Sequence, residues 1–169
     1  DDAVFTLSLN QASPTAVTVK LTTSFITADQ SDIGTMTASY KDSSNNTVSL
    51  TINADGTLTI PAGVTSVTLN VPTIDDSISE GNEKFRVSVE GVTVVSANDS
   101  ATITIIDNDS VPTISGVSSA VNTDGGDVVE GESAVFTVSL SNESSSAQTY
   151  SVSLSNGTAG SADYDTVLK

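Results

Sequence analysis

Acidic side chains are the residues of this chain best suited to chemistry, and they are clustered rather than spread evenly. The clusters fall at 75–83, 107–109, 124–132 and 163–165. Two carboxylates about 4 Å apart repel each other by roughly 4 kcal/mol at an effective dielectric constant of 20. That is a large part of the ~5–15 kcal/mol that keeps a domain folded. A bound cation reverses the sign of this repulsion, so the clusters are candidate cation sites.

Composition narrows the choice of cation. The chain of 169 residues has 21 Asp and Glu but no His and no Cys, so it lacks the ligands that zinc and copper prefer. Magnesium keeps much of its own water, whereas calcium accepts six to eight oxygens in flexible geometry, which suits several carboxylates on loops. Composition alone leaves a second interpretation open, in which the acidic loops are simply solvated or the surface is adapted to high salt.

The same composition disfavours several classes of function. A net charge of −16 repels nucleic acid and anionic membrane surfaces, and no apolar run approaches the ~20 residues of a membrane span. Without His the commonest general base is missing, and close pairs arise by chance among so many acids. We therefore predict that the chain is not an enzyme, does not bind nucleic acid and does not insert into a membrane.

Strands must position the acidic loops, because apolar and polar residues alternate with period two along most of the chain. The alternating runs are 5–9, 17–21, 48–52, 58–60, 67–71, 85–89 and 101–105. Residues 53–56 (Asn-Ala-Asp-Gly) predict a tight hairpin turn. About seven short strands and no helical stripe predict an all-β antiparallel sandwich of immunoglobulin-like Greek-key type. Loops gather at the two poles of a sandwich, so acids distant in sequence can converge there.

An internal repeat sets the domain organisation. Residues 3–9 read AVFTLSL and residues 134–140 read AVFTVSL, an offset of 131 residues. We predict that 1–109 form one sandwich that lacks its first strand and that 110–169 form the N-terminal part of the next repeat. The polar, proline-containing segment 107–112 marks the boundary. Half a sandwich leaves its core face and strand edges exposed, so we expect the second unit to be poorly stable by itself.

Several motifs, in a fixed order, resemble the Calx-beta module. In the first unit they are 61–65 (PAGVT), 74–87 (IDDSISEGNEKFRV) and 105–109 (IIDND); in the second they are 129–132 (VEGE), 136–140 (FTVSL) and 162–164 (ADY). The resemblance extends over nearly the whole chain. The chain most resembles the tandem repeats of large bacterial RTX-type adhesins, which are secreted by type I systems.

The resemblance implies a calcium site at one pole of each sandwich. Carried over by motif, the calcium ligands of the first unit are Asp32, Asp75, Asp76, Glu80, Asp107 and Asp109. The second unit supplies Glu130 and Asp163. Asp124 and Asp127 are further candidates at the start of the second unit, equally well explained as part of a linker.

The resemblance also implies a function. The chain would be a calcium-binding extender repeat of a secreted adhesin on the bacterial cell surface or in a biofilm, with Ca²⁺ stiffening the pole and the boundary between domains. Its partners would be calcium and neighbouring repeats, while other domains contact host or biofilm ligands. Two alternatives stay open: a module that itself binds a glycan or surface protein, and a subunit of a surface layer or filament, where neighbouring chains supply the missing first strand.

Overall fold

The computed structural model describes residues 2–93, 98–119 and 128–164. All regular elements in these residues are β-strands, which confirms the predicted all-β class. In chain order they are β1 (Asp2–Ser8), β2 (Val17–Phe25), β3 (Thr37–Lys41), β4 (Thr47–Leu50), β5 (Thr57–Ile60), β6 (Ser66–Pro72), β7 (Ile78–Ser79), β8 (Glu83–Gly91), β9 (Asp99–Ile105), β10 (Ile114–Ser119), β11 (Phe136–Leu140) and β12 (Glu143–Ser144). The described part of the chain holds no helix long and apolar enough to cross a membrane.

The chain divides into two compact units. One contains residues up to 76 together with 81–107, and the other contains 77–80 and the chain from 108 onwards. The first unit has two four-stranded antiparallel sheets, ordered β1-β6-β3-β4 and β5-β2-β8-β9. Strands that are neighbours in these sheets are mostly not consecutive in sequence, as in a β-sandwich built by crossover connections.

Alternating side chains from both sheets form the core of the first unit. Every second residue is buried along β6, from Val17 to Leu21 in β2 and at Phe85 and Val87 in β8, because successive side chains of a strand point to opposite faces. The rings of Phe5 on β1 and Phe85 on β8 meet edge to face with centroids 5.9 Å apart. Since these strands belong to different sheets, the contact shows that the two sheets pack face to face.

The predicted turn at 53–56 is present, and its glycine is required there. Gly56 has φ +82°, and a Cβ at this position would lie 2.5 Å from the Leu21 carbonyl oxygen. The turn is closed by a hydrogen bond from the Gly56 N–H to the Asn53 carbonyl at 2.9 Å. Its Asp55 carboxylate accepts hydrogen bonds from the hydroxyl and the N–H of Thr57, which lower the pKa of Asp55.

Among its described residues, the second unit has little regular structure. β10 and β11 form a two-stranded antiparallel sheet, and β7 pairs with β12 in parallel. Every residue of β10 and β11 is exposed. This unit therefore has strand pairing but no core comparable to that of the first unit among its described residues.

Candidate metal centre

Asp32 lies on the loop between β2 and β3. Backbone hydrogen bonds join this loop to both ends of the acidic turn, residues 75–83, which follows β6. The N–H groups of residues 26–28 all donate to the Lys84 carbonyl, at 3.0 to 3.2 Å. Farther along the loop, the Asp32 carbonyl accepts a hydrogen bond from the Ile74 N–H at 2.9 Å. Because Ile74 precedes the acidic turn and Lys84 follows it, the backbone holds Asp32 beside the turn.

The end of β9 reaches the same region. Ile105 pairs with Glu83 at the start of β8, and the Asp107 N–H donates to the Asn82 side-chain oxygen at 3.3 Å. Three segments distant in sequence therefore meet at one end of the first unit. This is the convergence of acidic loops that the sandwich architecture predicted.

Three carboxylates come together at this convergence. One oxygen each from Asp32, Glu80 and Glu83 lies within 4.8 Å of the others, and all three residues are half-buried. Oxygens bound to a single Ca²⁺ at about 2.3–2.6 Å lie no more than about 5 Å apart. The spacing thus fits three ligands of one calcium ion, and the donor set consists only of the carboxylate oxygens that calcium accepts.

The cluster is held in place by its own loop. The Asp32 carboxylate accepts a hydrogen bond from the Asp29 N–H at 2.5 Å. The Asp29 carboxylate in turn accepts from the hydroxyl and the N–H of Ser31, which lower the pKa of Asp29. These bonds fix the loop that presents Asp32, so a cation would find this ligand already in position.

The other residues predicted as ligands have separate placements. Asp75 and Asp76 are exposed in the acidic turn, and Asp107 and Asp109 are half-buried after β9. None of these four belongs to the three-carboxylate cluster. Asp75 and Asp76 precede Glu80 in the same acidic turn. The role of all four residues as ligands stays a prediction.

The two ligands predicted in the second unit lie in turns. Glu130 is exposed in a turn closed by a hydrogen bond from the Glu132 N–H to the Val129 carbonyl at 3.0 Å. The Asp163 carboxylate accepts from the Gly160 N–H at 2.7 Å. The described residues do not bring these two acids together in a metal-binding group. Asp124 and Asp127 lie outside the described residues.

Glu83 is a candidate ligand that the motif comparison missed, although the sequence placed it in the acidic turn. Glu83, Phe85 and Val87 are alternate residues of β8, and the last two are buried. The side chain of Glu83 therefore lies on the inner face, at the start of the strand. The sequence contains a signal that could have identified Glu83: an acid stands where the alternation of Phe85 and Val87 would place an apolar residue.

A family comparison bears on this arrangement. Residues 2–109, which contain the first unit and the whole three-carboxylate cluster, match the Calx-beta domain. The chain belongs to the Calx-beta family.

Calx-beta domains are non-catalytic modules associated with calcium binding. Searches of curated proteins and of solved structures gave no match. The family match confirms the resemblance drawn from the motifs of the first unit. The adhesin context of that resemblance stays a prediction.

Proposed function

We propose that this Calx-beta chain is a calcium-binding structural repeat, an extender module of a secreted protein on the bacterial cell surface. The observation that carries the proposal is the half-buried cluster of Asp32, Glu80 and Glu83 within the Calx-beta match. Three acids held this close destabilise the fold when no cation is bound and stabilise it when one is.

The electrostatic argument gives the size of the effect. Each pair of carboxylates at this separation repels by a few kcal/mol at an effective dielectric constant of 20, and partial exposure reduces this value. Calcium binding to the folded state alone adds about 4 kcal/mol when free calcium is a thousandfold above its dissociation constant. Calcium at this site would therefore be a main determinant of the stability of the folded chain.

The extender role rests on the family and on the internal repeat. Tandem units stiffened by calcium would form a stalk, and the binding to host or biofilm ligands would belong to other domains of the parent protein. The partners of this chain would be calcium ions and neighbouring repeats, with no nucleic acid and no membrane insertion. Its location would be extracellular, where millimolar calcium keeps even weak sites filled.

Thermal unfolding of the full chain in calcium, in magnesium and in chelator, at matched ionic strength, tests the calcium site. We expect a large rise in melting temperature with calcium alone. Glu83→Gln should abolish most of that rise, and Glu90→Gln, which removes an exposed acid of the same strand, should leave it intact. Equal melting temperatures in all three solutions would contradict the calcium site.

Small-angle scattering of the same chain tests the extender role separately. Calcium should narrow the distribution of molecular dimensions, and the chelator should broaden it. If calcium raises the melting temperature but leaves the dimensions unchanged, the site is structural within one domain and the extender role is wrong.

A further inference from the structure

The outer face of the sheet β5-β2-β8-β9 carries most of the positive charge among the described residues. Of the five Lys and Arg in the chain, Lys169 lies outside the described residues and Lys41 belongs to β3, in the other sheet. Lys20 of β2 and Lys84 and Arg86 of β8 are exposed residues that alternate with buried ones. Because successive side chains of a strand point to opposite faces, all three lie on the face turned away from the core.

Lys84 and Arg86, the basic pair, lie among hydroxyl side chains. The cross-strand partners of Arg86 are Ser24 on β2 and Thr102 on β9, and the partner of Lys84 on β9 is Thr104. The described strands therefore place hydroxyl groups, and no acid, at these paired positions. The Arg86 Nε donates to the Thr102 hydroxyl at 3.3 Å, which uses one of the five N–H donors of a guanidinium.

Lys20, on the same face, has a different environment. It lies opposite Glu90 on β8. Hydrogen bonds from Thr57 and, less strongly, the charge of Lys20 lower the pKa of Asp55. A strand rises about 3.4 Å per residue, so Glu90 and the Lys20 beside it lie about 14 Å from Arg86. Lys20 is thus balanced by nearby acids and lies outside the basic pair.

Exposed isoleucines border the basic pair. Ile26 follows β2, and its N–H donates to the Lys84 carbonyl at 3.0 Å. Ile106 follows β9, two residues beyond Thr104, which pairs with Lys84. Ile26 is 50% exposed and Ile106 is 73% exposed. A partner that covers this apolar surface gains free energy by removing it from water, so the surface fits a ligand with both acidic and apolar groups.

The spacing of the basic pair indicates the shape of that ligand. Lys84 and Arg86 are two residues apart, which is about 7 Å along a strand, and acids at alternate positions of an extended peptide have the same separation. Carboxylates bind arginine through two parallel hydrogen bonds. The net charge of −16 opposes large polyanions, but exposed charges are screened beyond roughly 8 Å at physiological salt. A short segment with two acids therefore experiences mainly the basic pair.

We propose that the basic pair and the two flanking isoleucines bind an extended segment of a partner protein with the pattern acid-x-acid-x-apolar. The two acids pair with Lys84 and Arg86, and the apolar side chain packs on Ile26 or Ile106. This surface goes beyond the calcium-binding role, because it uses none of the carboxylates of the three-carboxylate cluster.

Titration of the full chain with a synthetic peptide, followed by NMR of the backbone amides, tests this surface. The probe is SESESIS, blocked at both ends, and its control is SEESSIS, which has the same composition but adjacent acids. We expect saturable shifts at Ser24, Thr102 and Thr104 with the probe, and weaker binding of the control. Equal affinity for the two peptides would overturn the proposal.

Two variants of the same face give a matched control. Arg86→Gln should weaken binding of the probe at least about tenfold, because it removes a charge-assisted pair. Lys20→Gln removes an equal charge about 14 Å away along the face and should leave the affinity unchanged. Equal losses in both variants would reveal general attraction to the face and contradict a specific site.

Sedimentation of the chain without peptide separates a foreign partner from a second copy. We expect a molecular mass that does not depend on chain concentration. A mass that rises with concentration, and that Arg86→Gln returns to the value of a single chain, would make a second copy the occupant. The proposal of a partner segment would then be wrong.

Discussion

Two seven-residue sequences that differ only at Leu7 and Val138 have different environments in this molecule. The segment 3–9 overlaps β1, where Phe5 is 8% exposed; the segment 134–140 overlaps β11, where the corresponding Phe136 is 56% exposed. Both segments are strands, so the local alternation specifies the conformation in both places. The burial of Phe5 comes from β6 beside it and from Phe85 in the opposite sheet.

The loops, unlike the strands, have corresponding residues in similar surroundings in the two units. Asp32 and Asp163 lie 131 residues apart at corresponding positions, and each carboxylate accepts a hydrogen bond from the N–H three residues earlier, that of Asp29 or Gly160. The turn therefore has the same local structure in the unit with a packed core and in the unit whose described residues form none. The comparison shows that turns repeat through local hydrogen bonds, whereas burial depends on distant strands.

The largest expected difference is in the cost of losing the two phenylalanines. Phe5→Ala should destabilise the first unit by about 3–5 kcal/mol, because it leaves a cavity against Phe85. Phe136→Ala should change stability by no more than about 0.5 kcal/mol, as for other exposed positions. Urea unfolding followed by circular dichroism measures both. Equal costs would mean that the second unit has a core of its own.

The second difference concerns calcium. Asp32→Asn should remove most of the stabilisation by calcium, which amounts to about 2.7 kcal/mol at a hundredfold excess over the dissociation constant. Asp163→Asn should leave it intact, because Asp163 belongs to no carboxylate cluster among the described residues. Calorimetric melts with and without calcium compare the two variants. Loss of the calcium effect in both would show that Asp163 also contributes to the calcium effect.

A smaller effect is expected at the turn glycines. Gly56→Ala should cost roughly 2 kcal/mol, because an L-residue resists positive φ and its Cβ would meet the Leu21 carbonyl. Gly157→Ala, at a position with open space around it, should be nearly neutral. Denaturant midpoints of the two variants test this, and a neutral Gly56→Ala would show that the turn relaxes.

The smallest effect is on the decline of stability at acid pH. Hydrogen bonds from Asn46 lower the pKa of Asp42, and those from Thr57 lower the pKa of Asp55. Groups with a lowered folded-state pKa contribute stability above their unfolded value, near pH 4, and lose it as the pH falls through the folded value. Asp55→Asn should therefore lower stability at neutral pH slightly and flatten its decline below about pH 4. Melting temperatures from neutral to acid pH measure the slope, and an unchanged slope would exclude this role.

Much of the fold followed from periodicity. Alternation located β1, β2, β5, β6, β8 and β9, and the tight turn at 53–56 was correct. β3 was missed: its inner residue Ala38 is buried, but a small side chain between polar neighbours gives a weak apolar signal. An alternating run was predicted at 48–52, but the observed strand β4 ends at Leu50. Ile52 forms only an isolated bridge to Leu58.

By itself the sequence determined the strand alternation, the turn chemistry, the family and the acidic segments, because these depend on neighbours a few residues apart. Only the tertiary structure decided which acids meet. It brought Asp32 to Glu80 and Glu83 through backbone bonds to Ile74 and Lys84, and it left Asp75 and Asp76 in solvent. Convergence of this kind depends on sheet order and loop pairing between distant segments, and spacing along a chain does not contain that information.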